Sequence, residues 1–250
     1  MQCADLNSLR LRQPSPIAAG NRRGKHHNHK RPPPREPSIR SEGGLDSLHR
    51  SSKESTGGEV KAGVLALQGA FREHREVLDA LGFDAIEVRT AEQLLTLDAL
   101  LLPGGESTTM THLLRTSGMH AHLIDALKDG LPTLGTCAGL ILMASEVLDG
   151  REDQEPLGVA DVTVRRNAYG RQRDSFEANL SVKGLLGGTF PGVFIRAPVI
   201  ERVGPMVEVL AEHDGLPVLA RQGSLWFSTF HPEISGDLRI HQAFLKEAEV

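Results

Sequence analysis

The amino-acid sequence predicts an α/β protein with a three-layer, doubly wound, mostly parallel sheet and helices on both of its faces. From residue 62 onward, apolar runs too short for a helix alternate with stretches whose apolar residues recur at helical spacing. Such alternation is typical of parallel sheets, in which each crossover packs a helix against one face. After residue 158 the pattern changes to closely spaced strands.

The predicted elements follow in this order. A strand at residues 64–67 precedes a helix at 72–81, which carries Val77, Leu78 and Leu81 on one face. Strands at 84–88 and 100–102 enclose a short helix, and a further strand leads to Cys137, with a helix after it. In the C-terminal part, strands are predicted at 159–164, 193–195, 207–210, 218–220 and 225–229, and a helix at 238–247.

Composition divides the chain near residue 58. Residues 1–61 carry twelve Lys and Arg against six Asp and Glu, and they are rich in Pro, Ser and Gly with few apolar residues. We therefore expect residues 1–57 to be a disordered basic extension and residues 58–250 to form the folded domain. A basic segment can contact nucleic acid, but a Pro-rich one is more often a solvated tail, so no nucleic-acid partner is expected.

Cysteine content and hydropathy indicate a cytoplasmic protein without a membrane span. Two cysteines among 250 residues give no disulfide framework, which fits a reducing compartment, and no apolar run approaches the roughly 18 residues needed to cross a bilayer. His26, His27 and His29 lack a further ligand at metal-binding spacing, so no metal site is predicted.

Cys137 is the strongest candidate for a nucleophile. It follows a short apolar run and stands between Gly135 and Gly139, which reads as a strand, a sharp turn and a helix. We expect an exposed thiol at a helix N-terminus, where the helix dipole favours the thiolate. A lone cysteine is more often a buried structural residue, but glycines on both sides favour the turn.

His231 and Glu233 supply a matching base and its orienting group. The apolar run up to Phe230 predicts a strand, and Pro232 ends it, so His231 should lie at a strand end. Glu233 can then accept a hydrogen bond from one ring nitrogen while the other nitrogen faces the thiol. On its own, His-Pro-Glu would more often be a polar turn.

A Pro-Gly-Gly turn at residues 103–105 offers backbone amides for an oxyanion hole. It follows the buried strand at 100–102, and Ser107 or Thr108 is expected to cap the next helix. An ordinary strand-to-helix loop remains an alternative. A phosphate-binding loop would require a lysine that is missing here.

Together these motifs resemble the class I glutamine amidotransferases, which have a flavodoxin-like fold. The resemblance rests on Gly-Thr-Cys-Ala-Gly at 135–139, Leu-Pro-Gly-Gly-Glu-Ser-Thr-Thr at 102–109 and Phe-His-Pro-Glu at 230–233. Segments 67–74, 166–177 and 193–198 resemble more narrowly the glutaminase subunits of pyridoxal 5'-phosphate synthase. The resemblance extends from about residue 62 to about residue 245.

The resemblance implies hydrolysis of L-glutamine to L-glutamate and ammonia, with no cofactor on this chain. It implies the triad Cys137, His231 and Glu233, and an oxyanion hole formed by Gly104, Gly105 and Ala138. The implied glutamine site consists of Gly105, Glu106, Ser107, Arg166, Ile195 and Arg196. The ammonia would pass to a separate (β/α)₈-barrel synthase subunit in a large hetero-oligomer.

Two other functions remain open. The chain could be the glutaminase of another class I enzyme, such as imidazole glycerol phosphate synthase, although the motifs at 166–172 and 194–196 argue against it. It could also be a flavodoxin-like cysteine hydrolase without amide specificity. A non-catalytic interaction module would be expected to have lost a member of the triad, and none is lost.

Overall fold

The computed structural model describes residues 60–151, 154–166 and 175–248. The predicted extension at 1–57 lies outside these residues, as does most of the motif at 166–177. The described part of the chain lies in one compact unit, Ser55–Val250.

Twelve strands and six α-helices make up the described part of the chain. The strands are β1 Ala62–Leu65, β2 Ile86–Val88, β3 Ala99–Leu102, β4 Thr133–Thr136, β5 Ala144–Leu148, β6 Ala160–Arg165, β7 Ser175–Leu180, β8 Phe190–Ile195, β9 Val199–Val203, β10 Glu208–His213, β11 Leu216–Gln222 and β12 Leu225–Ser228. The helices are α1 Phe71–Ala80, α2 Ala91–Leu94, α3 Ser107–Thr116, α4 Met119–Lys128, α5 Ala138–Met143 and α6 Arg239–Ala248, and a 3₁₀ turn spans Pro232–Ile234.

Seven strands form the main sheet in the order β10-β11-β12-β4-β3-β1-β2. The five strands from β12 to β2 are parallel, and β10 and β11 extend the sheet as antiparallel neighbours. The predicted fold class is therefore confirmed. Ligands of open α/β sheets bind beyond the carboxyl ends of the parallel strands, which here means beyond β3, β4 and β12.

Both faces of the main sheet are buried, as the apolar runs require. In β3, Leu100 and Leu102 pack into one apolar cluster with side chains from α3, α4 and α5. Leu101 points to the opposite cluster, which contains side chains from α1 and α6. Continuous apolar strands are needed because helices cover the sheet on both sides.

Three strands, β5, β7 and β9, were not predicted from the sequence. β7 pairs with β8 in a separate two-stranded sheet, and β5, β6 and β9 form a three-stranded one. In β7 the side chains of Ser175, Glu177 and Asn179 are exposed, while only Leu180 is fully buried. The run of apolar residues that indicated the other strands is therefore absent from β7. Within the described residues, no helix is long and apolar enough to span a membrane.

Candidate active site

Cys137 occupies the sharp turn between β4 and α5. Its backbone has φ 49° and ψ −99°, a conformation that is rare for a residue with a side chain. The Cys137 N–H donates to the carbonyl of Ser228 at 2.9 Å, and the Cys137 carbonyl accepts from the Ile141 N–H at 3.2 Å. Strand β12 and helix α5 therefore hold the strained turn in place.

The flanking glycines are required for close approach, as predicted. A Cβ atom on Gly135 would lie 2.5 Å from the sulfur of Met143 and 2.9 Å from the carbonyl carbon of Gly139. A Cβ atom on Gly139 would lie 2.9 Å from the carbonyl carbon of Leu102. Larger residues at either position would push α5 away from β3 and β4.

The expectation of an exposed thiol was wrong. Cys137 is only 7% exposed, and its sulfur lies 4.0 Å from the carbonyl oxygen of Ile195. The end of β8 covers the turn and leaves the sulfur in the wall of a cleft. Sequence pattern around the turn could not reveal this cover, because it comes from a segment nearly sixty residues later.

His231 and Glu233 form a tight pair beside the thiol. The Nδ1 atom of His231 lies 2.6 Å from Glu233 Oε1, and the backbone N–H of His231 donates to the Val193 carbonyl at 2.8 Å. With Nδ1 occupied by Glu233, the other ring nitrogen, Nε2, is left to face Cys137, which lines the same cleft. The His231 ring therefore lies between the sulfur and the carboxylate.

The charges at this pair favour the imidazolium form of His231. Burial alone would lower the pKa of His231, but hydrogen bonds to Cys137 and Glu233 outweigh burial and raise that pKa to about 10. Burial would raise the pKa of Glu233, but the neighbouring rings of His74 and His231 lower it, so Glu233 remains ionised. A protonated His231 is thus stabilised beside the ionised Glu233 carboxylate.

The Pro-Gly-Gly turn after β3 packs against the His231 ring. A Cβ atom on Gly104 would lie 3.0 Å from His231 Nδ1, so the ring fits only against a glycine. The Gly104 carbonyl accepts from the Ala70 N–H at 2.9 Å. Because no described peptide bond is cis, the N–H of Gly105 points away from Ala70.

Helix α3 is capped by Glu106, so the expected cap at Ser107 or Thr108 was wrong. The Glu106 carboxylate accepts from the backbone N–H groups of Thr108 at 3.2 Å and Thr109 at 2.6 Å. A glutamate is uncommon as a cap. Burial opposes the charge on Glu106, but the bonds from Thr109 and Thr108 lower its pKa to about 2. The carboxylate is therefore ionised at neutral pH.

The two predicted substrate arginines have different surroundings. Arg166 donates to Glu106 Oε1 at 3.1 Å, to Thr108 Oγ1 at 3.1 Å and to Gln154 Oε1 at 2.7 Å. Arg196 is exposed, has φ 43°, and forms no ion pair with any residue that the structure describes. The guanidinium of Arg196 is thus available to a ligand, whereas that of Arg166 is held by neighbouring side chains.

A cleft of about 460 Å³ brings the predicted residues together. Its volume falls in the range of about 300–1,000 Å³ that is common for small-molecule sites. The predicted residues that line it are Gly104, Gly105, Glu106, Ser107, Cys137, Arg166, Ile195, Arg196 and His231. Glu233 lies behind His231, and Ala138 is the first residue of α5.

Sequence reasoning missed two glutamines at this cleft. Gln68 Oε1 accepts from the Glu106 N–H at 3.0 Å, and Gln154 donates to Ser107 Oγ at 3.0 Å. Gln68 lies in the segment at 67–74, whose sequence predicts no role for it. Nothing in the sequence around Gln154 indicated that it would meet Arg166. Among the described residues, no group of three or more His, Cys, Asp or Glu side chains could hold a metal ion.

Comparisons with known proteins agree with this geometry. Residues 64–250 match the model of the SNO glutamine amidotransferase family. A pyridoxal 5'-phosphate synthase subunit PdxT from Dehalococcoides mccartyi strain 195 is 52% identical over 76% of this chain and 98% of its own length. One of the same name from Mycobacteroides abscessus is 54% identical over 73% of this chain and 94% of its own.

One solved structure gives the same assignment, and a second supports the fold. A crystal structure of a glutamine amidotransferase aligns with a TM-score of 0.72 and 52% identity, covering 76% of this chain and 99% of that one. A putative GMP synthase component from Thermoplasma acidophilum aligns with a TM-score of 0.56 over 76% of this chain and 94% of that one; at 18% identity it supports the fold alone. The chain therefore belongs to the SNO glutamine amidotransferase family.

Proposed function

We propose that this chain is the glutaminase subunit of a pyridoxal 5'-phosphate synthase, which hydrolyses L-glutamine to L-glutamate and ammonia. The observation that carries the proposal is the buried row formed by Cys137, His231 and Glu233 in the wall of a ligand-sized cleft. Two relatives that are more than 50% identical over nearly their whole length bear that synthase's name. That the ammonia is used to make pyridoxal 5'-phosphate is inferred from the names of those relatives.

In the proposed reaction the Cys137 sulfur attacks the side-chain amide carbon of glutamine. A tetrahedral intermediate forms, and its oxyanion requires hydrogen-bond donors. The N–H of Ala138, in the first turn of α5, has no acceptor within its own helix and can serve as one donor. The peptide between Gly104 and Gly105 would supply the second, and the loss of one such donor commonly costs about 10²–10³ in rate.

His231 would transfer the protons. As the imidazolium it protonates the leaving nitrogen, so that the C–N bond breaks, ammonia departs and a glutamyl thioester remains on Cys137. The neutral imidazole then removes a proton from water, which attacks the thioester and releases glutamate. Glu233 holds Nδ1 throughout, which keeps Nε2 directed at the reacting atoms.

Recognition of free glutamine requires partners for its α-carboxylate and its α-ammonium group. We assign the α-carboxylate to Arg196, whose guanidinium lines the cleft without an ion-pair partner among the described residues. The Glu106 carboxylate suits the ammonium group because it stays ionised and half exposed. Arg166 would act by fixing Glu106, while Ser107 and Ile195 complete the wall of the cleft.

A separate (β/α)₈-barrel subunit would receive the ammonia in a hetero-oligomer. We infer that the free chain is a weak glutaminase because the Gly104–Gly105 peptide must turn before its N–H can meet the oxyanion. The hydrogen bond from Ala70 to the Gly104 carbonyl would then break when the barrel subunit binds. Location in the cytoplasm remains a prediction from the sequence.

Glutamate formation tests this proposal directly. The chain alone should release glutamate slowly, and addition of the barrel subunit should raise kcat far more than it changes KM, since the restored donor acts on the transition state. With [amide-¹⁵N]glutamine, the label should appear in pyridoxal 5'-phosphate. Cys137→Ser should abolish both signals. Full activity without the barrel subunit would favour a self-sufficient hydrolase instead.

A further inference from the structure

A second row of buried polar side chains lies behind Glu233. His74, on α1, is fully buried, and its Nε2 atom lies 3.6 Å from Glu233 Oε2 and 3.1 Å from the Thr136 hydroxyl. Glu233 Oε2 is itself buried and has no hydrogen-bond partner among the described residues. Thr136 directly precedes Cys137. The proposed mechanism uses neither His74 nor Thr136.

His241, on α6, completes this row. Its Nε2 atom lies 3.2 Å from His74 Nδ1, and its own Nδ1 atom is buried without a hydrogen-bond partner in the described structure. In folded proteins a buried N–H without an acceptor is rarer than a buried acceptor without a donor. The unpartnered Nδ1 atom of His241 is therefore better as a bare lone pair than as an N–H. The proton of His241 therefore belongs on Nε2, from which it is donated to His74.

This assignment fixes the proton of His74. Since His74 Nδ1 accepts from His241, the proton of a neutral His74 is on Nε2, and the N–H points toward Thr136 and Glu233. The opposite tautomer would place a ring lone pair against the negatively charged Oε2 of Glu233. It would also leave a buried N–H of His241 unpaired. Both costs favour the same arrangement.

From this geometry we infer that His74 is a positioning residue for catalysis, whose Nε2–H faces Glu233 Oε2 at 3.6 Å and steadies the carboxylate, and through it the His231 ring, by electrostatic attraction. The inference rests on the proposed glutaminase function. Glu233 uses Oε1 for His231, so rotation of the carboxylate about its last bond would disturb that 2.6 Å hydrogen bond. A donor on the side of Oε2 opposes such rotation. His74 thus positions the Glu233 carboxylate from the side of the triad that faces away from the substrate.

The charged and titratable groups around His74 agree with a neutral donor. Burial lowers the pKa of His74, Glu233 and Glu73 raise it, and the nearby charge of His231 lowers it. Burial is also the main cause that lowers the pKa of His241 to about 3. Neither ring is therefore protonated at neutral pH, and the row ends in a neutral imidazole rather than a second cation.

Two substitutions of similar size separate positioning from packing. His74→Met fills the space without a donor, whereas His74→Gln places an amide N–H near the position of Nε2. In the full chain with the barrel subunit, His74→Met should lower kcat by about 10- to 100-fold with KM nearly unchanged, a loss of the size found when a group that orients a metal ligand is removed. His74→Gln should recover most of that loss. The exposed His122→Met serves as a control and should match the wild type.

The pH profile gives a readout that packing alone would not change. A less well held Glu233 stabilises the His231 imidazolium less, so the basic limb of kcat/KM should move to lower pH in His74→Met and not in His74→Gln. When Glu233 is already replaced by Gln, the further change His74→Met should lower kcat little more, because both substitutions act through the Glu233 carboxylate. Additive losses, an unshifted limb, or equal loss in both His74 variants would overturn the inference.

Alkylation of Cys137 provides a test that does not depend on glutamine hydrolysis. The rate of iodoacetamide labelling, followed by the mass of the peptide that contains Cys137, reports the thiolate–imidazolium pair at each pH. Its pH dependence should shift in His74→Met and remain unshifted in His74→Gln. An unshifted profile in His74→Met would contradict the role of His74 even in a chain without glutaminase activity. Absence of glutamate formation by the wild type would contradict only the proposed function.

Discussion

Substitution of Gly69 by alanine tests whether the loop between β1 and α1 holds the oxyanion peptide in place. Gly69 has φ +98°, and a Cβ atom there would lie 3.0 Å from the carbonyl carbon of Gly104 and 3.2 Å from the Cα of Gly105. It would be closer still to the Gly104 carbonyl oxygen. Backbone atoms cannot rotate away from such a contact, so the Gly104–Gly105 peptide must move.

Gly82 provides a matched control. Its φ of +87° is similar, but a Cβ atom there would meet nothing within 4 Å. Alanine at either position incurs the cost of a left-handed backbone, about 1–2 kcal/mol. Only Gly69→Ala adds overpacking, worth about 1–3 kcal/mol in a close-packed site. We therefore expect Gly69→Ala to lose about 2–5 kcal/mol of stability and Gly82→Ala about 1–2 kcal/mol.

Activity should separate the two variants more clearly than stability. For a domain of this size each kcal/mol corresponds to about 2–4 °C in Tm, so both variants should remain folded at 25 °C and can be assayed with the barrel subunit. Gly69→Ala should lose about 10²–10³ in kcat, as expected for a displaced oxyanion donor, because the contact with the Cα of Gly105 persists when the peptide turns about its two Cα atoms. Gly82→Ala should keep kcat within about twofold of the wild type. Wild-type kcat in a folded Gly69→Ala variant would refute this reasoning.

Three further predictions concern the triad, the substrate arginines and the N-terminal extension. Because the pKa of His231 is raised to about 10, its imidazolium stabilises the fold fully below pH 6.5, and this contribution declines by about 1.4 kcal/mol per pH unit up to that pKa. In Glu233→Gln the pKa of His231 falls, so the free energy of unfolding, measured by chemical denaturation, should differ less between pH 6.5 and pH 9.5 than it does in the wild type. An equal difference in the two proteins would contradict the pairing of His231 with Glu233. Arg196→Met should raise KM for glutamine about 10- to 100-fold with little loss of Tm, as expected for a charged hydrogen bond. Arg166→Met should lower Tm as well, since Arg166 holds Glu106 and Gln154. An equal change in Tm in the Arg166→Met and Arg196→Met variants would refute the different roles assigned to the two arginines. Deletion of residues 1–57 should leave Tm and kcat nearly unchanged, because that segment has few apolar residues to bury, and a large loss in either would show that it belongs to the working structure.

Sequence patterns indicated the strands and helices that carry continuous apolar runs. The turn at Cys137 was predictable because Gly135 and Gly139 are needed for close approach, and the structure shows the contacts that exclude a larger side chain. The His231–Glu233 hydrogen bond followed from a spacing of two residues. Features set by neighbours in sequence were therefore accessible from the sequence.

Features that depend on distant segments of the chain could not be predicted from the sequence. The Cys137 sulfur is buried because the end of β8 lies over it, and the cap of α3 is Glu106 because Arg166 and Gln68 hold that residue from other elements. The row behind Glu233 joins three elements that are separated along the chain, β4, α1 and α6. His74 is the last residue of the segment at 67–74, but that segment gives no sign of the distant residues that His74 contacts.

Covalent labelling by an electrophilic glutamine analogue, such as a diazoketone, tests the central claim most directly. The chain contains two cysteines, Cys3 and Cys137, so peptide mass spectrometry can locate the adduct without ambiguity. If Cys137 attacks glutamine in the cleft, one adduct should form on Cys137, L-glutamine should protect against it, and Arg196→Met should weaken that protection. Labelling of Cys3 instead, or labelling of Cys137 that glutamine does not slow, would contradict the assignment of this cleft as a glutaminase site.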